Sequence, residues 1–155
     1  MGNAADVTIG SAAVTWNSVD LGFIAGGVEF HYEPEFHVTK VDAHTGALKH
    51  TLVAERAYAL VNMAESSLGK LQAAMPAAVN TAGSLTVGDG TPLAAQELVI
   101  TPTDTDAKPI TIYKAISTGA IALNHVIDGE RIVQVTFEAE VDTSKSAGNR
   151  LFKMA

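Results

Sequence analysis

His31, Glu33, Glu35 and His37 alternate through the segment Val28-Glu29-Phe30-His31-Tyr32-Glu33-Pro34-Glu35-Phe36-His37-Val38-Thr39. All four are metal-ligand or acid–base types. In a β-strand successive side chains point to opposite faces. The four therefore share one face with Glu29, while Val28, Phe30, Tyr32, Phe36 and Val38 share the other. At ~3.3 Å per residue His31 and His37 stand ~20 Å apart, so no single ion takes both. His31 with Glu33, or Glu35 with His37, supplies two ligands, and a third has to come from another strand. Glu33 and Glu35 sit about 6.5–7 Å apart, a separation that glycoside hydrolysis permits. With one Trp and few other rings, however, the chain offers no evident aromatic platform for a sugar. The plainer reading is a solvated polar face backed by an apolar one.

No other motif adds chemistry. Gly26-Gly27 and Gly88-Asp89-Gly90 are turn glycines outside any strand–loop–helix nucleotide motif. Ser66 and Ser67 lack a nucleophile-elbow context, and His125 reads as a loop residue. There is no cysteine, which rules out disulfides, zinc–cysteine sites and thiol nucleophiles. The expectation is a protein that is not an enzyme and carries neither metal nor cofactor.

Strands must position the polar face. Residues 27–39 form a long one, entered through Gly26-Gly27, and Pro34, which cannot donate to a ladder, argues for an edge or a bulge. A hairpin loop follows at Val41, Asp42, Ala43, His44, Thr45, Gly46, Ala47, Leu48 and Lys49, longer than the tight two-residue turns. The return strand, residues 48–62, is apolar on both sides, as expected between two layers or against another subunit. Glu65-Ser66-Ser67 starts a helix, with hydroxyls to cap it and a carboxylate at the positive end of the dipole. Leu68, Leu71 and Met75 recur on one face over about three turns, and Pro76 ends it. Short strands are expected at residues 7–9, 13–16, 84–87, 96–101, 110–116 and 120–124. The second clean strand runs over residues 131–141. It places Val133, Val135, Phe137, Ala139 and Val141 on one face and Gln134, Thr136, Glu138 and Glu140 on the other. The expected core is Val28, Phe30, Tyr32, Phe36, Val133, Val135 and Phe137, with Leu68, Leu71 and Met75 from the helix. The fold class is mainly β: a sandwich or partial barrel with one flanking helix, as a single domain over residues 1–155.

Net charge is −7, against general nucleic-acid binding through clustered Lys and Arg. Charged residues make up only 17% of the chain, which suggests that a partner covers part of the surface. No apolar run approaches the ~20 residues needed to span a bilayer. The N-terminus has no basic region followed by an apolar core, so it does not read as a signal peptide.

Val19-Asp20-Leu21-Gly22, Gly26-Gly27-Val28 and Tyr32-Glu33-Pro34-Glu35 resemble the opening of tail tube proteins of long-tailed bacteriophages. The likeness runs through the hairpin into Glu55 to Val61 and the Ala64-Glu65-Ser66-Ser67-Leu68-Gly69-Lys70-Leu71 helix. It covers roughly the first half of the chain; the second half agrees in pattern only. The resemblance implies a β-sandwich with a flanking helix, assembled into a multi-subunit β-barrel ring, with hexameric rings stacked into a hollow tube that delivers DNA. It implies a virion tail location after assembly in the host cytoplasm. The partners would be further copies of the chain, a tape-measure protein and tail-end proteins, with no membrane, and DNA would pass without specific binding. The loop from Val41 to Lys49 would reach a neighbouring subunit or ring. Glu29, His31, Glu33, Glu35, Gln134, Thr136, Glu138 and Glu140 would line the lumen, where repeated carboxylates repel a duplex carrying one charge per ~1.7 Å of axis. Three other readings remain open. They are the inner tube of a contractile tail, tailocin or secretion system; a monomeric β-sandwich carbohydrate-binding module; and a small metal-dependent β-barrel enzyme.

Overall fold

The computed structural model describes residues 10–88, 90–125 and 127–155. The expected strand at 7–9, the reading of the N-terminus and Asp89 of the glycine turn lie outside the described residues. Among the described residues ten strands and one helix follow in chain order: β1 (Ala12–Trp16), β2 (Val19–Asp20), β3 (Ile24–Thr39), β4 (Lys49–Met63), α1 (Leu68–Ala74), β5 (Ala78–Thr81), β6 (Ser84–Val87), β7 (Gln96–Pro102), β8 (Ile110–Ser117), β9 (Val133–Ala139) and β10 (Phe152–Met154). The class is mainly β, as expected. Eight strands build one large antiparallel sheet in the order β2-β1-β7-β8-β9-β4-β3, with β10 beside β8, and β5 and β6 form a separate hairpin.

The sheet folds over one core. Val14 and Trp16 of β1, Leu98 and Ile100 of β7, Ile112 and Ala115 of β8, Val133, Val135 and Phe137 of β9, and Ala59, Val61 and Met63 of β4 meet in a single buried cluster. Trp16 stands 6.4 Å from Phe137, ring centre to ring centre, and its indole N–H donates to the Ala115 carbonyl at 2.9 Å. Strands far apart in the sheet thus face each other across the core. That bond satisfies the one polar group a buried Trp brings with it.

The hairpin β3–β4 needs two irregularities. Near its base, Ala25-Gly26-Gly27 oppose the single residue Asn62, between the pairs Ile24–Met63 and Val28–Val61. Gly26 and Gly27 have φ of 81° and 88°, a conformation that side chains resist. Further out, Glu35 pairs with Ala54 but Phe36 pairs with Leu52, so Val53 is an extra residue in β4. This bulge switches the phase of the return strand. Counting inward from the Thr39–Lys49 pair without it, Glu33 would face Glu55, and Arg56, Tyr58 and Asn62 would turn into the core. With it, Ala57, Ala59, Val61 and Met63 are fully buried. Pro34 lies on the edge strand, next to this bulge, in keeping with its missing N–H.

Several expectations are corrected. Tyr32 and Phe36 are not core residues: they are 43% and 48% exposed, because they lie where the hairpin has left the rest of the sheet. The helix has seven residues, two turns rather than three, and only Leu71 of the expected trio is fully buried; Leu68 and Met75 are half-buried. Ser67 takes the N-cap position without a side-chain cap bond. The Glu65 carboxylate is committed elsewhere, to the Phe23 N–H and to Lys70. Residues 120–124 are not a strand. β9 stops at Ala139, so Glu140 lies just past the strand and Val141 is 54% exposed. The sequence pattern did not reveal β5 or β10.

Phe137 is 0% exposed at the centre of the cluster. Phe137→Ala should cost about 3–5 kcal/mol in urea unfolding, and Phe137→Asp should leave no folded protein by circular dichroism. Phe36→Ala, on the exposed part of the hairpin, should stay within about 0.5 kcal/mol of the parent.

Candidate functional site

β4 pairs with β9 only from Tyr58 to Met63. β3 and β4 stay paired far beyond that, out to Thr39 and Lys49. The outer half of the hairpin is therefore a two-stranded arm whose β4 side, over residues 49–57, has no strand beside it among the described residues. Residues 49–56 are all exposed. Large apolar side chains sit on the arm in water: Phe36 at 48%, Val38 at 38%, Leu52 at 46% and Val53 at 58% exposed. The loop from Val41 to Lys49 caps it and is exposed throughout, closed by the Leu48 N–H bond to the Thr39 carbonyl at 2.8 Å. Of the two settings expected for a return strand apolar on both sides, no second layer buries residues 49–56 among the described residues.

Where the arm leaves the sheet it is braced on both faces. On the inner face, the Tyr32 hydroxyl donates to Glu55 at 2.6 Å, and Phe152 of β10 packs against Phe30 at 4.8 Å and Tyr32 at 5.8 Å. That carboxylate raises the Tyr32 phenol pKa. A groove of about 560 Å³ opens here, with Tyr32, Leu52 and Val53 on one wall and Val141, Leu151 and Phe152 on the other.

The opposite face carries the polar rows. Cross-strand pairing aligns His31 with Tyr58 and Glu138, and Glu29 with Leu60 and Thr136. Glu29, His31, Glu33 and Glu35 of β3 therefore share a sheet face with Gln134, Thr136 and Glu138 of β9. Glu140 continues the row past the strand end, its N–H bonded to the Lys114 carbonyl at 2.7 Å. The face is not a bare carboxylate wall. Arg56 meets Glu138 through two bonds, 2.9 Å from Nε and 3.3 Å from a terminal nitrogen, and approaches Glu33 at 3.5 Å. Thr118 donates a third bond to Glu138 at 3.2 Å. His31 stacks on the Tyr58 ring at 4.7 Å and bonds Glu29 at 3.1 Å, while the Arg56 guanidinium lies 4.5 Å over the same ring. The Tyr58 hydroxyl donates to Glu33 at 3.0 Å.

Neither Arg56 nor Thr118 was singled out from the sequence. Their partners depend on the Val53 bulge and on the irregular run between β8 and β9, and neither leaves a periodic trace. The structure brings Glu33 and Glu138 together through Arg56 and leaves Glu35 and Glu140 apart from that cluster. Among the described residues, no group of three His, Cys, Asp or Glu side chains could hold a metal ion, and no helix is long and apolar enough to cross a membrane. No protein-family model matches this sequence, and no curated protein matches it.

Arg56 holds the Glu138 carboxyl below its ordinary pKa, helped by the Thr118 hydroxyl against the opposing cost of partial burial. Lys70 and the Phe23 N–H do the same for Glu65, and the Ser144 hydroxyl and N–H for Asp142. A carboxyl with a lowered folded pKa adds stability above its unfolded value and loses it as pH falls through the folded one. The melting temperature should therefore decline on acidification below about pH 4.5, and the decline should be shallower in Glu138→Gln. Thermal melts across pH check both.

Proposed function

We propose that this protein is a structural subunit that polymerises through its arm into rings stacked as a hollow tail tube for DNA delivery. The observation that carries the reading is the arm: a bare β4 side over residues 49–57, with exposed Phe36, Val38, Leu52 and Val53 around it. Unpaired strand sides with apolar side chains are templates for joining another chain, and closure around a ring removes them. Among the described residues the hairpin presents two unlike free margins, the outer side of β3 and the bare side of β4. Joining one to the other in the next copy is a head-to-tail contact, which makes a ring when the rotation closes and a filament when it does not. The sequence resemblance to tail tube proteins points the same way.

In this reading the face with Glu29, His31, Glu33, Glu35, Gln134, Thr136, Glu138 and Glu140 lines the bore. Carboxylates outnumber its cation, and Arg56 is engaged by two of them, so the wall repels phosphates. The fold supplies one part of the sandwich or partial barrel, completed across subunits, and the subunit acts without catalysis or cofactor. An inner tube of a contractile tail or secretion system would use the same contacts.

Negative-stain microscopy of concentrated protein tests the proposal: rings or tubes are expected, and solitary particles at every concentration would contradict it. Leu52→Glu with Val53→Glu should keep the fold and abolish assembly, because it puts charge on an exposed apolar arm. Assembly that survives this change would show that the arm is not the joint.

A further inference from the structure

Phe23 is the most exposed aromatic side chain among the described residues, at 77%, with Val19, four residues earlier, at 47%. Its backbone is nevertheless held from both sides. The Glu65 carboxylate accepts the Phe23 N–H at 3.1 Å, and the Ala64 N–H donates to the Phe23 carbonyl at 2.8 Å. Glu65 is itself engaged by Lys70, one turn into the helix region. Before Phe23, Leu21 is fully buried and bonded to the Val14 carbonyl, and the Gly22 N–H bonds Asp20 at 2.8 Å. Gly22 has φ of 82°, and a Cβ there would collide with the Lys70 amine and the Glu65 carboxyl. A glycine is thus needed to seat this turn, and the product is a fixed backbone that holds a phenyl ring out in water. Exposing a large ring on a rigid platform has no use within one copy. It is the arrangement of a preorganised interface anchor, which loses little freedom on docking.

The same molecule carries a matching receptor. The groove between the arm and the C-terminal strand, about 560 Å³, is walled by Tyr32, Leu52, Val53, Val141, Leu151 and Phe152. Arg150 lines it too, with no carboxylate partner among the described residues, its Nε donating to the Lys145 carbonyl; Glu55, the acid in the lining, is held by the Tyr32 hydroxyl. Asp20, exposed three residues before Phe23, supplies the opposite charge beside the ring. Phe23 precedes the first residue of β3, and the groove opens midway along the β3–β4 hairpin, about 30 Å away along the strand. One copy therefore cannot fill its own groove.

We infer that Phe23 of one copy seats in this groove of the next, with Asp20 meeting Arg150, and that the contact propagates along the hairpin direction. An anchor and a receptor on different surfaces of one chain make a heterologous contact, which builds an open stack when no rotation closes it. It rests on the tube reading and adds to it the contact that stacks one ring on another: this contact takes the Leu52 and Val53 side chains that line the groove, whereas ring closure takes the bare backbone side of β4.

The absence of cysteine makes the test clean. Phe23→Cys and Val53→Cys are prepared separately, mixed and oxidised, with Val87→Cys, 68% exposed on β6, replacing Val53→Cys as the control. Mixed disulfides between the first two, well above the control, are expected; equal yields would overturn the inference. In microscopy, Phe23→Ala should give rings that do not stack, or raise the concentration needed for tubes by about tenfold or more. Its circular dichroism should match the parent, since the ring is 77% exposed and outside the buried core. Tubes of ordinary length from Phe23→Ala would overturn this contact and leave the tube reading standing. Should the parent form neither rings nor tubes, the tube reading falls, and the cross-link yield still decides the Phe23 contact.

Discussion

The structure turns on a mismatch of length. A hairpin with strands of sixteen and fifteen residues is joined to the rest of its sheet, through β9, over only six pairs. Beyond Tyr58 one side of the β4 backbone has no strand beside it among the described residues. Buried backbone groups must find partners, whereas those on a free strand can wait in water. The chain accepts a long free margin and places Leu52, Val53, Phe36 and Val38 around it. It also braces the root of that margin. Tyr32, Glu55 and Phe152 lock one face, and Arg56 ties β4 to Glu138 on β9 and to Glu33 on β3 across the other. The arm is thus exposed but set at a definite angle.

The polar face follows from the same geometry. A row of carboxylates alone would repel itself across neighbouring strands. Arg56 relieves that where β3, β4 and β9 meet, and its stacking on Tyr58 beside His31 gives it a fixed position. Exposed ion pairs add little to stability each. What this one contributes is alignment, since it spans the three strands at the point where the arm departs. The face keeps an excess of negative charge, with Glu29 and Glu35 outside the Arg56 cluster.

Much of this was readable in the residues. The alternation of Val28, Phe30 and Tyr32 with Glu29, His31 and Glu33 located β3 and its faces. That of Val133, Val135 and Phe137 with Gln134, Thr136 and Glu138 located β9. Both are period-2 signals, the strongest that a strand leaves. The return strand was harder, and the reason is Val53. A bulge reverses the phase midway, so Leu52-Val53-Ala54 reads as apolar on both faces when it is a register change. Periodicity assigns Tyr32 and Phe36 to the core face, and a face is not a depth. They lie on the core face of the sheet but beyond its covered centre: Phe152 meets Tyr32 at the side, and both rings stay exposed. The helix lost a turn because Glu65, read as a dipole partner, is spent on Phe23 and Lys70. β10 was missed because three residues leave no period, although Phe152 braces the arm.

Amide hydrogen exchange along residues 49–57 bears most directly on the claim that this margin waits for another copy. In dilute solution the account predicts an alternating pattern, slow where the N–H bonds β3 and fast where it points to the bare side, because successive groups of an antiparallel strand face opposite neighbours. On concentration into assemblies, the fast set should become protected while the slow set changes little. An unchanged pattern at every concentration, or a fast set already protected in the dilute protein, would contradict it.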